Sequence, residues 1–106
     1  MILADDDTLG EALSATSNAV VLYFWAVWCG PCRALGPILE QIAEEQAERL
    51  TIVKVNSDES PRAAAHYRVL AVPTMKVIQD GVVVRTIVGA KPKSALEFEL
   101  APYLTV

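Results

Sequence analysis

The sequence contains little of what most kinds of site are built from. Only two cysteines, Cys29 and Cys32, and a single histidine, His66, occur in 106 residues. A structural zinc site needs four ligands, so one CxxC plus one histidine does not complete it, and no metal is expected. No apolar run approaches the roughly 20 residues needed to cross a bilayer; the longest, Ala19 to Cys29, stops at Gly30-Pro31. Glycine-rich phosphate loops of the GxGxxG or Walker type do not occur, so the chain itself is expected to bind no nucleotide. Basic residues are outnumbered 13 to 9, for a net charge of −4. That excess favours solubility and argues against nucleic acid or an anionic membrane as a main partner. No repeat, low-complexity tract or linker divides the sequence, and its length suits one domain spanning residues 1–106. The first residues, Met1 to Asp7, have neither the basic region nor the long apolar region of a secretory signal. A reducing cytoplasm is therefore expected, where a CxxC is more often catalytic than structural.

What is present centres on Trp28-Cys29-Gly30-Pro31-Cys32. Val20 to Ala26 is a continuous apolar run rich in β-formers, as in a parallel strand covered on both faces. Beyond it, Leu35, Ile38, Leu39, Ile42 and Ala43 recur at helical spacing and predict a helix from about Cys29 to Ala47. Cys29 then lies at a helix N-terminus, where free backbone N–H groups and the macrodipole favour a thiolate; it is the candidate nucleophile and the expected exposed thiol. Cys32, about one turn deeper on the same face, is the candidate resolving thiol within bridging distance. Pro31 is tolerated in a first turn and stiffens the loop. A purely structural disulfide would be a poor staple, since so short a loop removes at most about 2 kcal/mol of unfolded-chain entropy. Two inert helix cysteines are the other plain reading, but a CxxC at a strand-to-helix junction is the more specific signal.

The remaining pattern gives the order β-α-β-α-β-α-β-β-α. An edge strand is expected at Met1 to Leu3 and a helix capped by Asp6 or Asp7, carrying Leu9 and Leu13 inward. Leu50 to Val55 reads as a buried strand interrupted by Lys54, then a turn at Asn56-Ser57-Asp58 and a helix over Pro61 to Tyr67. Thr74–Gln79 and Val82–Val88 flank Asp80-Gly81, a two-residue hairpin signal. A last helix is expected over Ser94 to Leu104. A parallel start and an antiparallel end imply an α/β architecture, a mixed sheet with helices on both faces.

With Phe24-Trp25-Ala26 before the CxxC, Pro37 in the long helix, Lys54 before Asn56, Val72-Pro73-Thr74, Asp80-Gly81 and Gly89, the chain resembles the thioredoxin family over nearly its whole length. The resemblance implies the thioredoxin fold, a central mixed sheet of four to five strands flanked by about four helices. It also implies a monomeric protein-disulfide reductase with no bound cofactor other than a redox-active Cys29–Cys32 disulfide. Electrons would come from NADPH only indirectly, through a separate thioredoxin reductase, and pass to disulfide-containing substrate proteins. By the same resemblance Pro73 is a cis-proline facing the dithiol, leaving the Val72 backbone free to pair with an extended substrate. Trp28 is a docking surface, Gly89 and Ala90 leave room for a substrate backbone, and Gly30 and Pro31 set the spacing of the thiols. Trp25 is core, Val27 widens the docking patch, and Arg33 is either a charge near the thiols or a solvated residue. His66 has no catalytic role. One position departs from the family: Tyr23 stands where a buried aspartate is usual, an aspartate thought to move the proton of the resolving cysteine. Tyrosine, with an ordinary pKa of about 10, is a poor general base near neutrality. Lys54 thereby loses its carboxylate neighbour and either pairs with the Tyr23 hydroxyl or reaches solvent. The alternative function is therefore a binding or regulatory subunit with weakened turnover.

Overall fold

Five consecutive apolar residues, Val20 to Phe24, can all be buried only if a strand is covered on both faces, and the computed structural model, which describes residues 1–104, has this arrangement. Residues 105–106 of the expected domain lie outside the described part. Strands β1 (Ile2–Ala4), β2 (Ala19–Trp25), β3 (Leu50–Asn56), β4 (Thr74–Gln79) and β5 (Val82–Val88) alternate with helices α1 (Leu9–Ser14), α2 (Gly30–Glu45), α3 (Pro61–His66) and α4 (Lys93–Leu100). The sheet has the order β1-β3-β2-β4-β5. β1, β3 and β2 run parallel, and β4 and β5 are antiparallel to their neighbours. Successive β2 side chains point to opposite faces. Val21 and Tyr23 pack with Leu35, Leu39 and Ile42 of α2 and Leu96 and Leu100 of α4. Val20, Leu22 and Phe24 pack with Leu9 and Ala63 on the α1/α3 side.

This topology gathers loops at one edge. Trp25 is in register with Asn56, Phe24 with Thr74, and Thr74 with Val88. The segments after β2 and β3, before β4 and after β5 therefore meet beyond the carboxyl ends of the parallel strands, where open α/β sheets place their sites.

Two local expectations are corrected. Asp6 and Asp7 do not cap α1, whose preceding residue is Thr8 with no side-chain cap. Instead Asp5 closes a turn by accepting from the amides of Asp7 (2.9 Å) and Thr8 (3.0 Å). The Asp6 carboxylate accepts from Arg62 N–H (3.1 Å) and Ala63 N–H (2.7 Å), capping α3 from across the fold. The final helix ends as α-helix at Leu100 and continues as a 3₁₀ turn over Ala101–Tyr103. Pro102 is the reason, because its ring clashes with a carbonyl four residues back. Leu9 and Leu13 face inward as expected, Leu9 buried and Leu13 half-buried against the same cluster. The hairpin forms as expected, with Asp80 at φ 51° and Gly81 at φ 78°, the positive values of a type I′ turn.

Candidate active site: the Cys29–Cys32 pair

Cys29 is the extended N-cap of α2, and its Sγ accepts the Cys32 backbone N–H at 3.2 Å. The two cysteines are bonded as a disulfide. Contrary to the expected exposed thiol, Cys29 is as buried as Cys32, at 3 % and 4 % exposure. The N-cap geometry turns the Cys29 sulfur back over the first helical turn, into a cluster with Ala26, Trp25 and Val72. What separates the two is their surroundings: the Cys29 sulfur accepts the Cys32 N–H of the first helical turn, and Cys32 borders a cavity lined also by Tyr23 and Lys54.

Trp28, next to Cys29 in the chain, is 67 % exposed, and its indole N–H donates to the Asp58 carboxylate at 2.7 Å. Asp58 was not legible as a site residue. The Asn56 side chain, accepting from the amides of Asp58 (2.9 Å) and Glu59 (3.2 Å), folds the turn that delivers it. The Asn56-Ser57-Asp58 turn signal was thus the available clue.

The Val72–Pro73 peptide is cis, as the resemblance implied. Val72 is half-buried against the thiols, and its backbone N–H and C=O have no hydrogen-bond partner among the described residues. The Pro73 carbonyl instead accepts from Gly89 N–H at 2.9 Å, joining the two loops. Gly89 has φ 92°, a conformation that side chains other than glycine rarely adopt, and Ala90 beside it is exposed. Gly30 and Pro31 form the exposed first turn of α2. Val27 is 62 % exposed. The Arg33 guanidinium donates to the Val27 carbonyl at 3.2 Å, which fixes it beside the loop. His66 packs edge-on against Tyr67, away from the thiols.

Tyr23 is buried, and its hydroxyl donates to the Cys32 carbonyl at 3.2 Å. Burial pushes this phenol up to about 12, so it holds its proton throughout the neutral range. Lys54 does not pair with Tyr23. Its ammonium sits 4.3 Å from the centroid of the Trp25 ring, a cation–π contact that accounts for a charged residue in a half-buried strand position and for Trp25 being only partly covered.

The thioredoxin family model matches residues 1–101. A thioredoxin of Streptomyces clavuligerus is 50% identical over 91 residues, covering 86% of this chain and 84% of its own. For a Bacillus subtilis thioredoxin the identity is 49% over 83 residues, or 77% and 80% of the two chains. Thioredoxin 1 of Synechococcus elongatus is 39% identical over 99 residues, 93% and 92% of the two. With a CxxC disulfide at the head of a helix, in a five-stranded mixed sheet flanked by four helices, the chain belongs to the thioredoxin family, whose chemistry is dithiol–disulfide exchange.

Proposed function

We propose that residues 1–106 act as one domain, a protein-disulfide reductase in which Cys29 attacks and Cys32 resolves. The observation that carries this order is the Cys32 N–H directed at the Cys29 sulfur, because a donor at a helix N-terminus stabilises the charge of a thiolate. The Cys29 thiolate attacks one sulfur of a substrate disulfide. A Cys29–substrate bond forms, and the other substrate sulfur leaves as a thiolate and takes up a proton. Cys32, once deprotonated, attacks the Cys29 sulfur, and the second substrate sulfur departs with its electron pair. The substrate has gained two electrons, and the Cys29–Cys32 disulfide has been formed. Gly30 and Pro31 hold the thiols one turn apart, and Tyr23 and Lys54 support Cys32 from behind.

Substrate docks on Trp28 and along Val72, Pro73, Gly89 and Ala90. The unpartnered Val72 backbone supports pairing with an extended segment, as in strand addition. The partners are disulfide-bearing proteins and a thioredoxin reductase that brings electrons from NADPH. The protein works as a monomer in the cytoplasm, without nucleic acid or membrane. A net charge of −4 argues against nucleic acid or an anionic membrane as a main partner, and no described helix is long and apolar enough to cross a membrane.

The test is insulin reduction, followed as precipitation of the freed chains, first with dithiothreitol and then with NADPH and the host's thioredoxin reductase. Turnover that is lost in both Cys29→Ser and Cys32→Ser is expected. A folded wild type that accelerates neither reaction would overturn the reading.

A further inference from the structure

The sheet face packed by α1 and α3 is covered over β2 and β3 but open over β5, where Val83, Thr86 and Val88 are exposed. Pairing fixes their direction. Val83 lies opposite Ile78, which belongs to the α1/α3 core, Thr86 opposite Lys76, and Val88 opposite Thr74. Alternation along β4 puts Lys76 on this face as well, and its Nζ donates to the Thr86 hydroxyl at 3.1 Å. At one end the strip runs from Val88 into Gly89, whose N–H meets the Pro73 carbonyl, so it is continuous with the surface assigned to substrate. At the other end, between the hairpin and the C-terminus of α3, lies a pocket of about 310 Å³ lined by His66, Tyr67, Arg68, Lys76, Gly81 and Val83. Leu70, between Arg68 and the Val72–Pro73 bend, is 98 % exposed.

Charge sets the pocket end apart. The chain carries −4, yet no carboxylate of the described residues lines this pocket; Asp80, next to Gly81, lines other hollows with Ser17 and Asn18. Arg62, Arg85, Lys91 and Lys93 are each matched by an acid, whereas Arg68 and Lys76 have no carboxylate partner among the described residues. Arg68 also holds a left-handed φ of 56°, where glycine would be the relaxed choice, so a long cationic side chain stands there against the preference of the backbone.

We propose that this strip extends the docking surface and that its occupant is an acidic stretch of the disulfide-bearing substrate, flanking the reacting cysteine. The stretch passes from Gly89 along Val88 and Leu70, and its carboxylates reach Arg68 and Lys76. This rests on the reading of Val72, Pro73 and Gly89 as the place where substrate docks. An arginine fork takes a carboxylate through two hydrogen bonds, and Lys76 adds a point charge. Because the protein as a whole repels acidic chains, the attraction is local: it selects substrates by where their acids stand relative to the cysteine, not by total charge. An extended chain rises about 3.3 Å per residue, so acids roughly four to six residues from the cysteine would reach the pocket.

The probes are three peptide disulfides, each a dimer of one chain joined through its single cysteine. One carries Glu at those positions before the cysteine, one carries Glu after it, and one has Gln at both. Pre-reduced protein in excess reduces each in a single turnover, and the released monomer is measured by chromatography after acid quenching. One of the two Glu peptides is expected to react about three- to tenfold faster than the Gln peptide at low salt, the gain shrinking to within about twofold at roughly 0.5 M salt. Arg68→Ala and Lys76→Gln should each lose most of that gain. Arg49→Ala removes the same charge just before β3, at the opposite end of the sheet, and should keep it. Each ratio is taken within one preparation, so a loss of folded protein cancels. Equal ratios for Arg68→Ala and Arg49→Ala, or Glu peptides no faster than the Gln peptide, would overturn the proposal. A wild type that reduces none of the three peptides would instead overturn the reading on which it rests.

Discussion

Cys29 and Tyr23 each lead to a measurable outcome of their own. In the reduced protein Cys29 should be alkylated before Cys32, even though neither sulfur is more exposed, because helix-terminal N–H groups favour its thiolate and fade in influence within a turn. Mass-spectrometric mapping with iodoacetamide at mildly acidic pH checks this; faster labelling of Cys32 would reverse the assigned roles. For Tyr23 the prediction concerns stability in base. Its phenol is pushed up to about 12 by burial, from an ordinary value of 10.0, so the folded state holds a proton that the unfolded state gives up. The stability from keeping Tyr23 neutral is complete below about pH 10 and is lost as pH rises toward 12. Urea midpoints of the oxidised protein between pH 9 and 12 should fall more steeply for wild type than for Tyr23→Phe. Some slope should persist in the variant, because burial also raises Tyr67.

α3 is a six-residue helix whose two ends are held by means its own sequence only half announces. At its C-terminus Val69 N–H reaches the Ala64 carbonyl (2.9 Å) and Arg68 N–H the Ala65 carbonyl (3.1 Å), the paired bonds of a Schellman motif. That motif puts Arg68 at φ 56°, a left-handed conformation that costs a side-chain-bearing residue about 1–2 kcal/mol. Arg68→Gly should therefore stabilise the protein by about 1 kcal/mol, while Arg68→Ala, equally strained, should change it little; urea denaturation of both separates backbone from side chain. At the N-terminus, burial works against the Asp6 carboxylate, but the Ala63 and Arg62 amides and the Arg62 guanidinium outweigh it and hold its pKa below the ordinary 3.8. A lowered folded value means stability present above the unfolded pKa and lost as pH falls through the folded one. Asp6→Asn should lower the urea midpoint at pH 6 and converge on wild type by about pH 2, because the acid removes the same charge. These two ends show how legible the elements were. Pro61, the Asp80-Gly81 hairpin and the Cys29 junction were readable because their causes lie within a few residues of one another. Asp6 looked like the cap of the helix following it, and its true partner is 57 residues away, a pairing that only the packed sheet defines. The Trp28–Asp58 bond, spanning 30 residues, was hidden for the same reason. Pro102, by contrast, was a local signal that should have ended α4 early.

For the whole molecule the disulfide is a small part of what holds the fold. Closing a loop between residues three apart restricts the unfolded chain by no more than about 2 kcal/mol. Leu39 is wholly buried between sheet and helices, and truncating such a leucine to alanine costs about 2–5 kcal/mol. Reduction should thus leave the protein folded, with a urea midpoint shifted less than that of Leu39→Ala in the oxidised form. The reductase role needs this, since the chain must survive both redox states. The placing of β2 carries the point further. Along the strand every residue from Val20 to Phe24 is paired with β3 on one side and β4 on the other. Amides so enclosed are expected to exchange with solvent only when the protein opens as a whole, whereas the bends at 71–73 and residues 89–90, outside the strand ladders and joined by the Gly89 N–H to Pro73 carbonyl bond, should open at lower cost. Cys29 follows β2 by only Ala26, Val27 and Trp28. In deuterium-exchange terms the attacking sulfur is moored to the last part of the protein to open, and the surfaces that receive a partner belong to the parts that open first. Room for a bulky partner can thus be made by fluctuation of one wall of the site while the reacting atom keeps its place.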